Sequence, residues 1–111
     1  MKNYSSKSKN TLLIDSADNK EIKVGLRIGG KEYWIKKKHQ KAQIVLSLID
    51  KIMRAHKLEP SQLSAIEVNT GPGSFTGLRV GIAIANALGF SLKIPVNGKK
   101  VGEYTSAIYT K

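Results

Sequence analysis

A chain of 111 residues, 41% hydrophobic and 24% charged, has the size and composition of one soluble domain with a single core, which excludes a disordered or fibrous protein. It contains no cysteine, which excludes disulfides, thiolate metal sites and thiol nucleophiles. Its net charge of +11 favours a solvated basic surface or, alternatively, a surface that faces RNA or an acidic partner.

Residues 1–10 are polar and lack the apolar core of a signal peptide, so we interpret them as a flexible tail of a cytoplasmic protein. No apolar run reaches the ~20 residues that a membrane span requires. The apolar run Thr11–Ile14 ends at a cluster of turn formers that begins with Asp15, and it predicts a buried strand. Alternating apolar residues in Ile22–Ile28 then predict a half-buried strand.

The pair Gly29-Gly30 follows this second strand. Both residues tolerate the positive φ of a tight hairpin turn, so we expect the chain to return as a strand over Lys31–Ile35. In that strand Tyr33 and Ile35 share one face and Trp34 lies on the other. We assign Trp34 to packing, because RNA stacking would require neighbouring aromatic residues and cations.

Six apolar residues between positions 40 and 57 recur at the spacing of one helical face. They are Ile44, Val45, Leu48, Ile49, Ile52 and Met53. This pattern predicts a helix over Gln40–Lys57. Pro60 is then positioned to open a single new helical turn, and Ala65–Asn69 predicts another buried strand.

A glycine-rich turn at residues 70–77 leads into a second helix that is apolar on almost every side. Gly77, Gly81 and Ala85 recur every four residues and leave a shallow groove in which another backbone can approach closely. Because the sheet can cover only one side of such a helix, we expect a partner chain on the other side. After this helix, Leu92–Val96 predicts a brief strand with Pro95 at an edge or strand end.

The run Gly71–Gly81, GPGSFTGLRVG, resembles the hallmark GPGSFTGLRIG of the TsaB (YeaZ) family with one conservative change. Leu13–Ser16 is similar to the opening IDTS of that family, and Leu63–Ile66 resembles its LSDLDAI segment. His39 and Gln40 stand where the family has a His-Ser-Gln before its first helix.

This resemblance implies an α/β lobe of the actin-like or ribonuclease-H-like type over residues 11–96. The lobe would contain a five-stranded mixed sheet in the order 3-2-1-4-5 with helices packed on it. Residues 97–111 would form an extension in place of the family's usual second lobe. The helices Gln40–Lys57 and Phe75–Leu88 would form a helical bundle with a second TsaB copy or with the catalytic subunit TsaD.

By the same resemblance, the chain would be a non-catalytic scaffold subunit in the synthesis of threonylcarbamoyladenosine on tRNA. It would form a homodimer when alone, and it would join an assembly that includes a TsaE-like ATPase. It would reach tRNA through that complex and would contact no membrane.

The predicted partner interface consists of apolar and small side chains on the two helices. It comprises Leu48, Ile52, Gly77, Val80, Gly81, Ala83, Ile84 and Leu88. The loop that shapes this interface comprises Gly71, Pro72, Gly73, Ser74, Phe75, Thr76 and Arg79. Gly77 and Gly81 carry the sharper prediction, since a side chain at either position should block close approach.

We predict no catalytic, cofactor or metal site. A glycine-rich turn before a helix is a natural anion site, but Gly71–Gly77 lacks the Gly-Lys-Ser/Thr of a P-loop and a nearby carboxylate for magnesium, which favours a structural turn. His39 and His56 lack metal-ligand spacing and are assigned to the surface. Ser74 lacks the sequence of a nucleophile elbow. Asp15 is assigned to a capped turn rather than to a metal.

Two alternative functions stay open. One is a basic RNA-binding module, whose affinity should fall steeply with salt. The other is a half-size actin-like nucleotide-binding enzyme lobe. The turn Asp15–Asp18 lacks the glycine with which actin-like kinases bring backbone amides to phosphate, which argues against the enzyme.

Overall fold

A four-stranded mixed sheet forms the centre of the computed structural model, which describes residues 10–38 and 41–107. Its strands are β1 (Asn10–Asp15), β2 (Ile22–Ile28), β3 (Lys31–Lys37) and β4 (Ala65–Val68), in the order β3-β2-β1-β4. β2 is antiparallel to both of its neighbours, whereas β1 and β4 are parallel. The predictions for residues 1–9, for His39 and Gln40, and for residues 108–111 lie outside the described residues.

Two helices pack on one face of this sheet. α1 (Ala42–Ala55) lies over β2 and β3, and α2 (Phe75–Leu92) lies over β4 and β1. A short 3-10 turn at Pro60–Gln62 confirms the predicted helical turn at Pro60. α1 is shorter at its C-terminal end than the predicted helix, and α2 extends beyond the predicted end at Leu88.

The alternation of side chains along the strands decides which residues form the core. The helix-covered face contributes Leu12, Ile14, Val24, Leu26 and Ile66, all of which are buried. The strand register places Tyr33 and Ile35 on this face and Trp34 on the opposite one, as predicted.

The tight turn between β2 and β3 is also confirmed. Gly29 and Gly30 adopt φ values of 58° and 90°, in the left-handed region that glycine enters without steric cost. β2 and β3 therefore pair in register from Ile28 opposite Lys31 to Ile22 opposite Lys37.

The predicted fifth strand at Leu92–Val96 is wrong. α2 continues through Leu92, and Lys93 ends it in the left-handed conformation with φ 58°. Only Val96 then forms an isolated parallel bridge, to Ile66. Beyond it the side chain of Asn97 replaces a strand backbone, because its Oδ1 accepts from Val68 N at 2.7 Å and its Nδ2 donates to Val68 O at 2.9 Å.

Both ends of the predicted lobe make contacts with its interior. Asn10, assigned to the tail, is the first residue of β1, and its buried amide donates to Gln62 O at 3.0 Å. In the predicted extension, Thr105 N donates to Asn86 Oδ1 of α2, and Asn86 Nδ2 donates to Thr105 O, each at 2.9 Å. The extension is therefore joined to the lobe by specific hydrogen bonds as far as this residue.

Candidate partner-binding surface

The loop that carries the GPGSFTG sequence is held against the end of β1. Asp15 Oδ1 accepts from Ala17 N and from Asn69 Nδ2, each at 3.1 Å. Ser74 N donates to Ala17 O at 2.7 Å, and a Cβ on Gly73 would lie 2.7 Å from the same residue. Asp15 thus has the hydrogen bonds of a capped turn, and Gly73 is required because Ala17 leaves no room for a side chain.

Several amides of this loop already have acceptors inside the chain. Gly71 N donates to Asn69 Oδ1 at 2.9 Å, and Gly77 N donates to the N-cap hydroxyl of Ser74 at 3.3 Å. Ser74 N is bonded to Ala17, as above. A phosphate cradle needs free N–H groups, so this geometry favours the structural turn over the nucleotide-binding one.

The small-residue stripe of α2 faces this chain's own sheet. Gly77, Gly81, Ala85 and Gly89 are all buried. A Cβ on Gly81 would collide with Ser16 Oγ and lie 3.3 Å from Ile14 Cγ2. The side chain of Ser16, at the end of β1, therefore occupies the space beside Gly81 that was predicted for a partner backbone, and its buried hydroxyl donates a 2.6 Å hydrogen bond to Gly77 O.

The opposite, outward side of α2 is the side that the described residues leave uncovered. Val80, Ile84 and Leu88 are half-buried at its margin, and Ala83 and Ala87 are exposed along its centre. These positions repeat every three or four residues, which is the spacing of one helical face. We call this set the outward face of α2; small alanines along its centre allow a second helix to approach closely.

In α1 the predicted interface residues Leu48 and Ile52 are buried in the core. They are covered by this chain's own sheet, so they are not exposed to a partner. Leu46 is instead 51% exposed. Sequence reasoning missed Leu46, although an apolar residue outside the buried stripe of an amphipathic helix is the signal that would have found it.

A groove of about 670 Å³ runs between the two helices. Its walls include Leu46, Ile49 and Met53 from α1, and Leu88 and Leu92 from α2. Its polar rim includes Asp50 and Arg54, which form an ion pair at 3.0 Å, and Lys57 and Glu59. The groove and the outward face of α2 share Leu88, so together they form one continuous apolar surface.

By length and composition alone, α2 is the one helix in the described parts of the chain that could cross a membrane. Its apolar character has a different explanation in this fold. One side packs on β1 and β4, and the opposite side carries the outward face.

The sheet face opposite the helices carries a network of charged side chains. Arg27 on β2 donates to Glu67 at 2.8 Å and to Glu32 at 2.9 Å. The hydrogen bond from Arg27 lowers the pKa of Glu67. The pKa of Glu32 is lowered chiefly by the hydrogen bond from Trp34 Nε1 and, next, by the hydrogen bond from Arg27. Both carboxylates in turn raise the pKa of the guanidinium.

Within residues 10–38 and 41–107, no three His, Asp or Glu side chains come together as potential metal ligands. The His56 ring packs against the Tyr33 ring in a tilted arrangement, with ring centroids 4.6 Å apart. This contact gives that histidine a packing role between the end of α1 and β3.

The order of the strands and the two helices on one face define an α/β lobe of the actin-like or ribonuclease-H-like class. The fold is similar to the solved structure of YeaZ from Pseudomonas aeruginosa, with a TM-score of 0.74 and 26% sequence identity. The match covers 83% of this chain and 44% of that one. The predicted fold class is therefore confirmed, with four strands in place of five.

A family model described as TsaD, tRNA N6-adenosine threonylcarbamoyltransferase, matches residues 34–99. The tRNA threonylcarbamoyladenosine biosynthesis protein TsaB of Haemophilus influenzae is 35% identical over 88 residues, which are 78% of this chain and 37% of that protein. TsaB of Bacillus subtilis is 34% identical over 64 residues, 58% of this chain and 27% of its own length. The chain belongs to the TsaB/YeaZ family, and it spans well under half the length of these curated relatives.

Proposed function

We propose that this chain is a non-catalytic subunit in tRNA threonylcarbamoyladenosine biosynthesis that docks a TsaD-like catalytic subunit. The docking surface is the outward face of α2 together with the groove between α1 and α2. The family model and the two TsaB relatives described above support the assignment to this pathway.

The observation that carries the proposal is the composition of the outward face. An exposed apolar surface of this kind, rimmed by charged residues, is typical of a protein interface. The adjoining groove extends it, so that one partner element can contact both helices of this chain. A helix from the partner, packed along Ala83 and Ala87 with its larger side chains in the groove, satisfies this shape.

The further members of the proposed assembly follow from the same family. The chain forms a homodimer through the same surface when the catalytic subunit is absent. In the assembled state a TsaE-like ATPase is also present, and tRNA is reached through the complex. We propose that the protein acts in the cytoplasm.

The test is co-purification with the TsaD-like protein of the same organism, followed by a native mass measurement of the complex. Two adjacent residues of α1 provide a matched pair of variants. Leu46→Arg places a charge in the groove, whereas Ser47→Arg places the same charge at an exposed position outside it. We expect Leu46→Arg to weaken the complex by at least about tenfold, because it places a cation in an apolar groove, and Ser47→Arg to leave it unchanged.

Absence of a complex between the wild-type chain and the TsaD-like protein would overturn the proposal. Equal weakening by Leu46→Arg and Ser47→Arg would show that the groove is not the docking surface. Thermal unfolding of both variants, measured in parallel, ensures that lost binding is not lost folding.

A further inference from the structure

Trp34 lies on the sheet face that neither α1 nor α2 covers. Its indole covers the bare backbone of Gly25, directly opposite on β2, where a Cβ would lie 2.8 Å from the ring. Its Nε1 donates to Glu32 Oε1 at 2.9 Å. These two contacts hold the ring in place while it stays 45% exposed, so a planar aromatic surface is presented to solvent.

Two lysines form the next cross-strand pair on the same face. Lys23 lies directly opposite Lys36, whose nearest described ion-pair partner is Glu21 at 3.8 Å. Like charges placed opposite each other destabilise a sheet, and the carboxylates nearest to this pair in the register are Asp15, opposite Lys23 on β1, and Glu21 beside Lys36. Lys36 also lines a depression of about 390 Å³ with Lys37, Lys38 and Glu21, and its three cations outnumber the one carboxylate, which favours a bound anion.

The opposite end of this face has a different charge. Beyond Trp34 the next pair is Arg27 and Glu32, and Arg27 is also bonded to Glu67. One cation between two carboxylates leaves this end net negative, which repels phosphate. At the first end Lys23, Lys36, Lys37 and Lys38 outnumber Asp15 and Glu21, so the aromatic ring separates a net cationic end from an acidic end.

We propose that this face binds one unpaired nucleotide of a single-stranded nucleic acid, with its base on Trp34 and its phosphate at Lys23 and Lys36. Neighbouring pairs on one sheet face are about 7 Å apart, a distance that one nucleotide bridges between base and phosphate. A stacked base with a flanking cation is the usual arrangement of single-strand recognition. The acidic end limits the site to a single nucleotide rather than a long tract.

Trp34 is the only tryptophan of the chain, so its emission reports directly on this site. The experiment titrates the protein with a single-stranded oligoadenylate of about six nucleotides, as RNA and as DNA, and with the corresponding duplex. We expect the single strands to change the indole emission and the duplex to leave it unchanged. With one or two phosphates bound, log K should fall with log salt at a slope between about −0.7 and −1.4.

Affinities of the variants are measured by anisotropy of a labelled oligonucleotide, since one variant removes the intrinsic reporter. We expect Trp34→Leu to weaken binding at least about fivefold, because a stacking surface is lost. The matched control is Phe90→Leu, which removes another exposed aromatic ring, 65% exposed on α2, without a change of charge. Similarly, Lys36→Gln should weaken binding more than Lys51→Gln, an equal loss of charge on the exposed side of α1.

No binding at low salt, or binding that leaves the indole emission unchanged, would overturn this proposal. Equal affinities of Trp34→Leu and Phe90→Leu, or equal losses for the two lysine variants, would indicate attraction by net charge alone and would overturn it too. If Trp34→Leu fails to fold, the lysine pair decides the question. The proposal uses the sheet face opposite to the docking surface, so either can fail without the other.

Discussion

The two sides of α2 differ in what covers them. The sheet-facing side has glycine or alanine at every fourth position beside Leu78 and Ile82, and the end of β1 and Val96 lie against its glycines. The outward side has alanines of similar size along its centre, with larger apolar residues beside them, and the described part of the chain leaves it open. Small residues thus allow close packing on the sheet on one side of the helix, and different small residues form the proposed partner contact on the other side.

This difference separates two effects of substitution within one helix. A larger side chain on the sheet-facing side meets backbone and side-chain atoms that cannot move away without disturbing the core. A larger side chain on the outward side meets solvent in the isolated chain. Stability and partner affinity should therefore respond to different residues of α2.

The largest expected effect comes from Gly81. Gly81→Leu should prevent folding, and Gly81→Ala should lower the free energy of unfolding by about 2 kcal/mol, because the added Cβ overlaps Ser16. Urea unfolding followed by circular dichroism measures this effect. The control Ala83→Leu, on the outward face, should stay within about 0.5 kcal/mol of the wild type. A Gly81→Leu protein with wild-type stability would contradict the close packing.

Substitution of Ser16 should have a smaller effect on stability, and it identifies the atom that limits the space beside Gly81. Ser16→Ala should cost about 1 kcal/mol, since it removes the buried hydrogen bond to Gly77 O. In that background Gly81→Ala should cost less than in the wild type, because the colliding hydroxyl is gone while Ser16 Cβ stays 3.2 Å away. A double-mutant cycle from urea unfolding gives the coupling energy. Strictly additive effects would show that another atom limits the approach.

The smallest expected effect concerns the sheet face opposite the helices, where a charged pair makes the stability depend on pH. Arg27 lowers the pKa of Glu67 below its ordinary value of 4.5, so the ionised form is favoured in the folded state. The resulting stability is present above about pH 4.5 and is lost as the pH falls through the lower folded-state pKa.

We expect Glu67→Gln to reduce this acid-dependent loss by less than about 1 kcal/mol, because the pair is exposed and screened by solvent. Unfolding curves between about pH 6 and about pH 3 measure it. Glu103→Gln is the control, because its carboxyl contacts only the neighbouring Lys100 amide among the described residues. Identical pH profiles for Glu67→Gln and the wild type would show that the network contributes nothing.

Much of the fold could be predicted from local patterns. The apolar run of β1, the alternation in β2, the Gly29-Gly30 turn and the amphipathic spacing of α1 each depend on neighbours in the chain. The prediction of a fifth strand failed because Lys93 and Pro95 interrupt the segment. In addition, the Asn97 side chain makes the hydrogen bonds to Val68 that a strand backbone would have made.

The candidate site was harder to predict, for a physical reason. Helical periodicity shows that Gly77, Gly81 and Ala85 share one face, but it does not show which neighbour lies against that face. Two neighbours were available, the chain's own sheet and a partner, and the packing of Gly81 on Ser16 decides for the sheet. Ala83 was predicted for the interface and remains exposed, so its role there stays a prediction.

The most direct test of this account measures stability and partner affinity together for one residue from each side of α2. For Ala83→Arg we predict at least about tenfold weaker binding to the TsaD-like protein with an unchanged free energy of unfolding, because the arginine is solvated until the partner binds. For Gly81→Ala we predict lower stability with unchanged affinity of the folded protein. Wild-type affinity in Ala83→Arg would contradict the assignment of the outward face as the docking surface.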